Sequence, residues 1–262
     1  MEILNVIDPV QFRTYMLVLM RVSVFIFMMP VFSSNAFPAF LKACLAMVIA
    51  LLIYTIVPVD LKRFPETAAA TGLLLGTEVM IGMILGLCVR IFFGAIQLAG
   101  QVIGVQMGFS MINIMDPQTG ANVSVMDQFG YWVCLLIFVL LNGHHIMILA
   151  LMDSFDLVPI GVLFLPKVVL AKVFVAAAQL FFMSVKIGAP VIAALLFVSI
   201  GFGLVAKFSP QMNVMIVAFP LKIVGGLLMF GFTLEILVIV TRTYIAGLKK
   251  LFLYLLFFMG GG

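Results

Sequence analysis

Long apolar runs, each broken by few polar positions, fill most of this chain. Thr14 to Phe32 is the first, with Arg21 inside it; Ser33-Ser34-Asn35 and Pro38 then mark a loop. Ala43 to Val57 follows and stops at Pro58, ahead of Asp60, Lys62, Arg63 and Pro65. A third run opens at Ala68, carries Glu78 and reaches Val89, where Arg90 interrupts it. Ile91 to Met107 continues as a helix rich in Gly and Gln. Ser110 to Gln128 is a polar stretch containing Gly and Pro, and Tyr131 to Met152 is the next helix. Asp153, Asp156, Pro159 and Pro166 mark a connection. Val173 to Ala206 contains Lys186 and Pro190, so a kink or split is expected there. Pro210 and Asn213 precede Val214 to Val240, which holds Pro220, Lys222 and Glu235. A last apolar piece, Tyr244 to Met259, carries Lys249 and Lys250, and Gly260-Gly261-Gly262 reads as a flexible tail or an appended remnant. Such runs exceed strand length, and small residues at four-residue spacing favour helices. A membrane barrel would show alternating polarity, which is absent. The pattern predicts an all-α fold of polytopic, membrane-inserted helices.

Composition sharpens this. Of 262 residues, 65% are hydrophobic and 9% charged, and mean hydropathy is +1.34. A soluble domain of this size needs more charge to cover its surface. The net charge of +4 is too thin and scattered for nucleic acid, which needs clustered Lys and Arg. The basic residues report orientation instead. Six crossings with the N-terminus inside place Arg13, Lys62, Arg63, Lys167, Lys172, Arg242, Lys249 and Lys250 on the cytoplasmic side, and Lys42 and Lys207 outside. Met1 to Gln11 carries Glu2 and Asp8 and no basic residue, so no cleavable signal peptide is expected. Cys44, Cys88 and Cys134 lie in apolar runs without a CxxC neighbour, which suits buried small hydrophobes better than a disulfide or metal site.

Three features do not fit a simple bundle in lipid. Six charges stand within the runs: Arg21, Glu78, Arg90, Lys186, Lys222 and Glu235. Each costs roughly 2.5 to 3.5 kcal/mol at a helix centre, on the order of 15 to 20 kcal/mol together. Either they pair and line a polar interior, or the helices stand partly outside the hydrocarbon against other proteins. Glycine repeats at four at Gly72 and Gly76, at Gly82 and Gly86, and at Gly100, Gly104 and Gly108, giving flat faces for close helix packing. Gln97 and Gln101 form a polar stripe beside the last of these, and such a stripe needs hydrogen-bond partners. The packing partner is another helix of the chain or another subunit. Finally, the stretch Phe109 to Gly120 begins with Phe, Ile and Met and ends in a Pro117 to Gly120 turn, with Asp116 placed to accept from backbone amides. Flexible methionines fill irregular gaps. The stretch reads as a mobile apolar seal for a wide pore or as a helix end packed on its neighbours.

Enzymatic motifs are lacking. His144-His145 with Asp153 and Asp156 has no H-E-x-x-H spacing, and adjacent histidines diverge by about 100° on a helix. No nucleophile elbow, P-loop or dinucleotide fingerprint occurs. No cofactor or metal is expected, and energy for transport must come from a separate ATPase or the proton-motive force. A secondary transporter is the alternative, with Pro190, Pro220, Lys186 and Lys222 as broken-helix and midplane features. However, no repeat relates the two halves, and the glycine ladder is confined to one.

Asp116-Pro117-Gln118-Thr119-Gly120 after a Gly- and Gln-rich helix resembles the flagellar export-gate family FliR and its injectisome counterpart. So do Ser209-Pro210-Gln211-Met212-Asn213, Phe219-Pro220-Leu221-Lys222-Ile223, Gly225-Gly226, and the early Arg21 with Met29-Pro30-Val31-Phe32. The resemblance runs the whole length of the chain, and the motif wording leans to the flagellum. It implies a non-enzymatic subunit of the type III protein export gate in the bacterial inner membrane, at the flagellar basal body. Partners would be FliP, FliQ and FlhB, besides lipids and unfolded proteins in transit. A FliP-like portion, 1–170, would join a FliQ-like hairpin and basic end, 171–262, in a helical multi-subunit assembly raised partly from the bilayer. The resemblance makes 108–122 a plug, sealed by Phe109, Met111, Ile112, Ile114 and Met115 on the Asp116, Pro117 and Gly120 turn, with Gln106 and Asn113 at its base. It assigns Pro210, Gln211, Asn213, Pro220 and Lys222 to an assembly hairpin. Gly100, Gly104, Gly108, Gln97 and Gln101 would serve subunit packing. The stranded charges Arg21, Glu78, Arg90, Lys186 and Glu235 would be buried against partner subunits.

Overall fold

A computed structural model of the chain describes residues 9–33, 38–57, 67–109, 125–162, 166–209, 211 and 213–261. These are helical apart from short turns: α1 (Pro9–Met28), α2 (Pro30–Ser33), α3 (Ala39–Tyr54), α4 (Ala68–Met107), α5 (Val125–Leu140), α6 (Gly143–Leu157), α7 (Lys167–Phe208) and α8 (Val214–Met259). The expected all-α architecture is present, and four helices are long and apolar enough to cross a membrane. A fifth span results if the bent pair α5 and α6 is taken as one. The count is therefore four or five among the described residues, against the six read from the runs.

The difference comes from fused and broken runs. Arg90 does not interrupt α4, which continues for 40 residues, because its side chain is exposed and leaves the backbone ladder untouched. Pro190 lies inside α7 without splitting its 42 residues; a proline removes one hydrogen bond, and the flanking turns keep theirs. The piece from Tyr244 is the end of α8, which runs 46 residues. At 1.5 Å per residue these three helices are roughly 60 to 70 Å long, about twice a hydrocarbon core. Conversely, the run Tyr131 to Met152 bends by 67° between α5 and α6. Asn142 makes the break at φ 56°, in the left-handed region that asparagine tolerates better than most side chains.

The helices contribute to two compact units. The first comprises Met1–Ile91, Asn142–Ala176 and Ala246–Gly262. Here α1 packs against α3, and α1 buries Leu17, Val18, Arg21, Val22, Phe25 and Ile26, the three- and four-residue spacing of one helical face. Gly82 and Gly86 of α4 lie against α1: an added Cβ would come within 2.6 Å of Arg21 O and of Met28 Cβ, respectively. The end of α8 buries Leu248, Phe252, Leu255, Leu256 and Met259. Gly260 is no tail: its N–H donates to Leu256 O at 2.9 Å, and it closes on Leu157 O so tightly that a side chain has no room. The second unit comprises Phe92–Leu141 and Ala177–Ile245. Aromatic rings hold it together: Phe92 stacks on Tyr244 at 3.9 Å, and Phe93 meets Tyr131 and Phe138 edge-on.

Candidate functional site

In the second unit, the residues on either side of 110–124 land on one apolar cluster. α4 ends with Ile103 and Met107 fully buried. Gly108 follows at φ 92°; its N–H donates to Val105 O, and that of Phe109 to Gly104 O, both at 3.0 Å. This is how a helix closes on a left-handed residue. A Cβ at Gly108 would also lie 2.8 Å from the Phe219 ring, so backbone and space both require glycine. Phe109 packs against the cluster formed by Ile103, Met107, Met126, Val191, Leu195 and Phe230. Met126, in the first turn of α5, belongs to the same cluster, so Phe109 and Met126 share one patch. A second contact fixes the first turn of α5. A Cβ on Gly100 would sit 2.5 Å from Asp127 Cα and 2.7 Å from its N.

The first unit holds a buried ion pair. Arg21 Nε donates to Glu78 Oε2 at 2.6 Å, and both side chains are 0% exposed. The remaining donors of the guanidinium go to the end of α6. Nη1 reaches Ser154 O at 2.7 Å and its Oγ at 3.2 Å, and Nη2 reaches Val158 O at 3.0 Å. The cation also lies 4.2 Å from the centroid of the Phe155 ring. Glu78 Oε1 accepts from Gly161 N–H at 3.0 Å. A cation at the carbonyl end of a helix is favoured by the helix dipole, and this pair ties α1, α4 and α6 together. Its polar groups are well satisfied, the condition under which buried charge is tolerated.

Comparison with known proteins agrees with this membrane architecture. Residues 12–248 match the family described as bacterial export proteins, family 1. The chain belongs to that family. Among its relatives, the flagellar biosynthetic protein FliR of Bacillus subtilis is 32% identical over 88% of this chain and 90% of its own length. The Escherichia coli protein of that name is 30% identical over 80% of this chain and 79% of its own. The Aquifex aeolicus protein is 28% identical over 92% and 93%. Members of this family are export components rather than enzymes. Among the described residues no three His, Cys, Asp or Glu side chains gather as metal ligands. His144 and His145 instead place their rings 4.2 Å apart at the start of α6, closer than their helical phase suggests.

The other expected site residues of this family member fall into three groups. Met111, Ile112, Asn113, Ile114, Met115, Asp116, Pro117 and Gly120 lie outside the described residues, as does Pro210. Phe109 packs against the cluster, Gly108 lies against Phe219, Gly100 lies against Met126 O and the Asp127 backbone, Gly104 is buried and Gln97 is half-buried. The close approach at Gly100 is made to the chain's own α5, and that at Gly108 to its own α8. Gln101, Gln106, Gln211, Asn213 and Pro220 are exposed, and Lys222 is half-buried. Arg21 and Glu78 are buried, but within the chain by itself Arg90, Lys186 and Glu235 are exposed, on helix faces turned away from its own core. Sequence reasoning missed Asp127, Ser154, Phe155, Val158 and Gly161. The one available signal was Asp127, an ionisable residue in the first turn of an otherwise apolar helix.

Proposed function

We propose that the chain is a subunit of the flagellar type III protein export gate, building the protein-conducting core with FliP and FliQ and bordered by FlhB, in the inner membrane at the basal body. The observation that carries this is the match to a bacterial export family over residues 12–248, with relatives named as flagellar biosynthetic proteins along nearly their whole length. In this reading 1–170 is the FliP-like portion and 171–262 the FliQ-like hairpin. In support, the latter part consists of two very long helices separated only by residues 209–213. The apolar span of α7 is 11% buried, against 61% for α4. So exposed a helix of this composition needs lipid or other subunits to cover it.

The segment 108–122 is the plug. Supporting this, its described beginning, Phe109, and Met126 share one apolar cluster containing two methionines. An apolar seal anchored at both ends on soft side chains can close without a unique fit. Two experiments test the reading. Co-expression with FliP, FliQ and FlhB should yield one large defined complex; a small solute-binding oligomer of this chain alone would refute it. Removing residues 110–122 should raise the leak of small ions through assembled, idle gates; unchanged leak would refute the plug.

A further inference from the structure

Two basic segments far apart in the sequence meet in the first unit. Lys167 and Lys172 lie in the first two turns of α7, and Lys249 and Lys250 lie near the end of α8. Lys172 Nζ stands 5.3 Å from the centroid of the Tyr254 ring, which brings the start of α7 against the end of α8. Tyr254 follows Lys250 by one turn and shares its helix face. All four lysines are exposed. Among the described residues none of the four makes an ion pair, with Asp153 and Asp156 of α6 or with any other carboxylate. Like charges gathered in this way repel, and an anion is needed to offset them. Exposed apolar side chains stand beside the cations: Leu170, Phe174 and Val175 on α7, and Leu253 and Phe257 on α8. Lys167 is also the first residue of the apolar span of α7, so positive charge gives way to lipid-compatible surface within two turns. An acidic peptide would offset the charge and leave the apolar side chains bare. A phospholipid covers both. Lysine stems lie along apolar surface with the ammonium at the headgroups, and tyrosine favours the same level.

We propose that Lys172 and Lys250 beside Tyr254, flanked along the two helices by Lys167 and Lys249, form a binding site for the headgroup of an anionic phospholipid. Its acyl chains lie along the exposed apolar side chains of α7 and α8. Basic sites between membrane helices hold anionic headgroups in this way. The site requires only that the chain stand in a membrane, and it is independent of the gate reading above.

The full chain, purified together with whatever subunits accompany it, is placed in nanodiscs holding equal amounts of phosphatidylglycerol and phosphatidylcholine. Mass spectrometry then counts the lipids that stay bound when the disc is stripped. The parent should retain phosphatidylglycerol in preference. Each lysine near an anionic surface is worth about fivefold in binding, so Lys172→Gln and Lys250→Gln should each lower the preference by about that factor. Replacing all four lysines with Gln should abolish it, whereas replacing all four with Arg keeps the charge and should stay within about twofold of the parent. Lys186→Gln with Lys207→Gln, which removes two exposed lysines elsewhere on α7, should change nothing. If the fourfold Gln variant fails to accumulate, the two single variants and the Arg variant decide. Equal retention by parent and Gln variants at parental abundance, or an equal loss in the Lys186 and Lys207 pair, would overturn the site. Displacement of the lipid by inorganic phosphate would show that the apolar side chains add nothing, and would overturn the lipid as ligand. Carbodiimide crosslinking of Lys172 or Lys250 to an acidic side chain of another subunit, with retained lipid unchanged among the variants, would assign the patch to a protein contact instead.

Discussion

Replacing Glu78 with Gln tests the role of the buried pair most directly. The variant keeps the shape of the side chain and removes its charge. Arg21 then retains Ser154 O, Ser154 Oγ, Val158 O and the Phe155 ring, but its positive charge has lost the carboxylate at 2.6 Å. The new amide cannot satisfy both sides: its oxygen can accept from Arg21 Nε or from Gly161 N–H, and its NH2 opposes the other donor. Breaking a buried pair at one partner costs about 3 to 5 kcal/mol. Arg21→Met leaves the Glu78 carboxylate with Gly161 N–H and should cost a similar amount, about 3 to 5 kcal/mol. The double variant, Arg21→Met with Glu78→Gln, should recover part of this, since no bare charge remains. Ser154 O keeps the Val158 N–H at 3.1 Å, whereas Val158 O loses Nη2, a debit of about 1 to 3 kcal/mol. The order of stability is therefore parent, double variant, then either single variant. Denaturant titration of the detergent-solubilised complex, followed by protease resistance of the first unit, measures it. A single variant losing less than about 1 kcal/mol, or a double variant losing the sum of both singles, refutes the argument.

The glycines give contrasting predictions. Gly100→Ala should impair folding by about 2 kcal/mol or more, because its Cβ meets Asp127 backbone atoms rather than a side chain that can rotate away. Gly72→Ala and Gly76→Ala meet nothing within 4 Å and should stabilise α4 by about 0.5 to 1 kcal/mol in the isolated chain; loss of stability only after co-assembly would locate a partner helix on that face. Gly108→Ala should reduce abundance through both its positive φ and the Phe219 ring, and trimming Phe219 to Leu should relieve the second effect alone. Gly260→Ala should expose the end of α8 to protease, since Leu157 O closes on that residue; resistance equal to the parent would show the terminus to be dispensable.

Hydropathy and spacing alone determined an all-α membrane protein and the motifs that carry family resemblance. These are properties of neighbouring residues, and apolar periodicity registers them directly. They also set a Gln97 and Gln101 stripe beside the Gly100, Gly104 and Gly108 ladder, because four-residue spacing fixes which residues share a helix face. Folding decided the rest. Whether Arg90 breaks a helix, or Asn142 does, depends on which backbone groups find bonds in three dimensions. Six charges looked alike along the chain. Arg21 lies 57 residues from Glu78 and 133 from Ser154, and these two charges are enclosed together while Arg90, Lys186 and Glu235 face outward. Each residue turns a helix by about 100°, so a charge is sheltered or bare according to where its helix is rotated against its neighbours, and that rotation is fixed only when the helices pack.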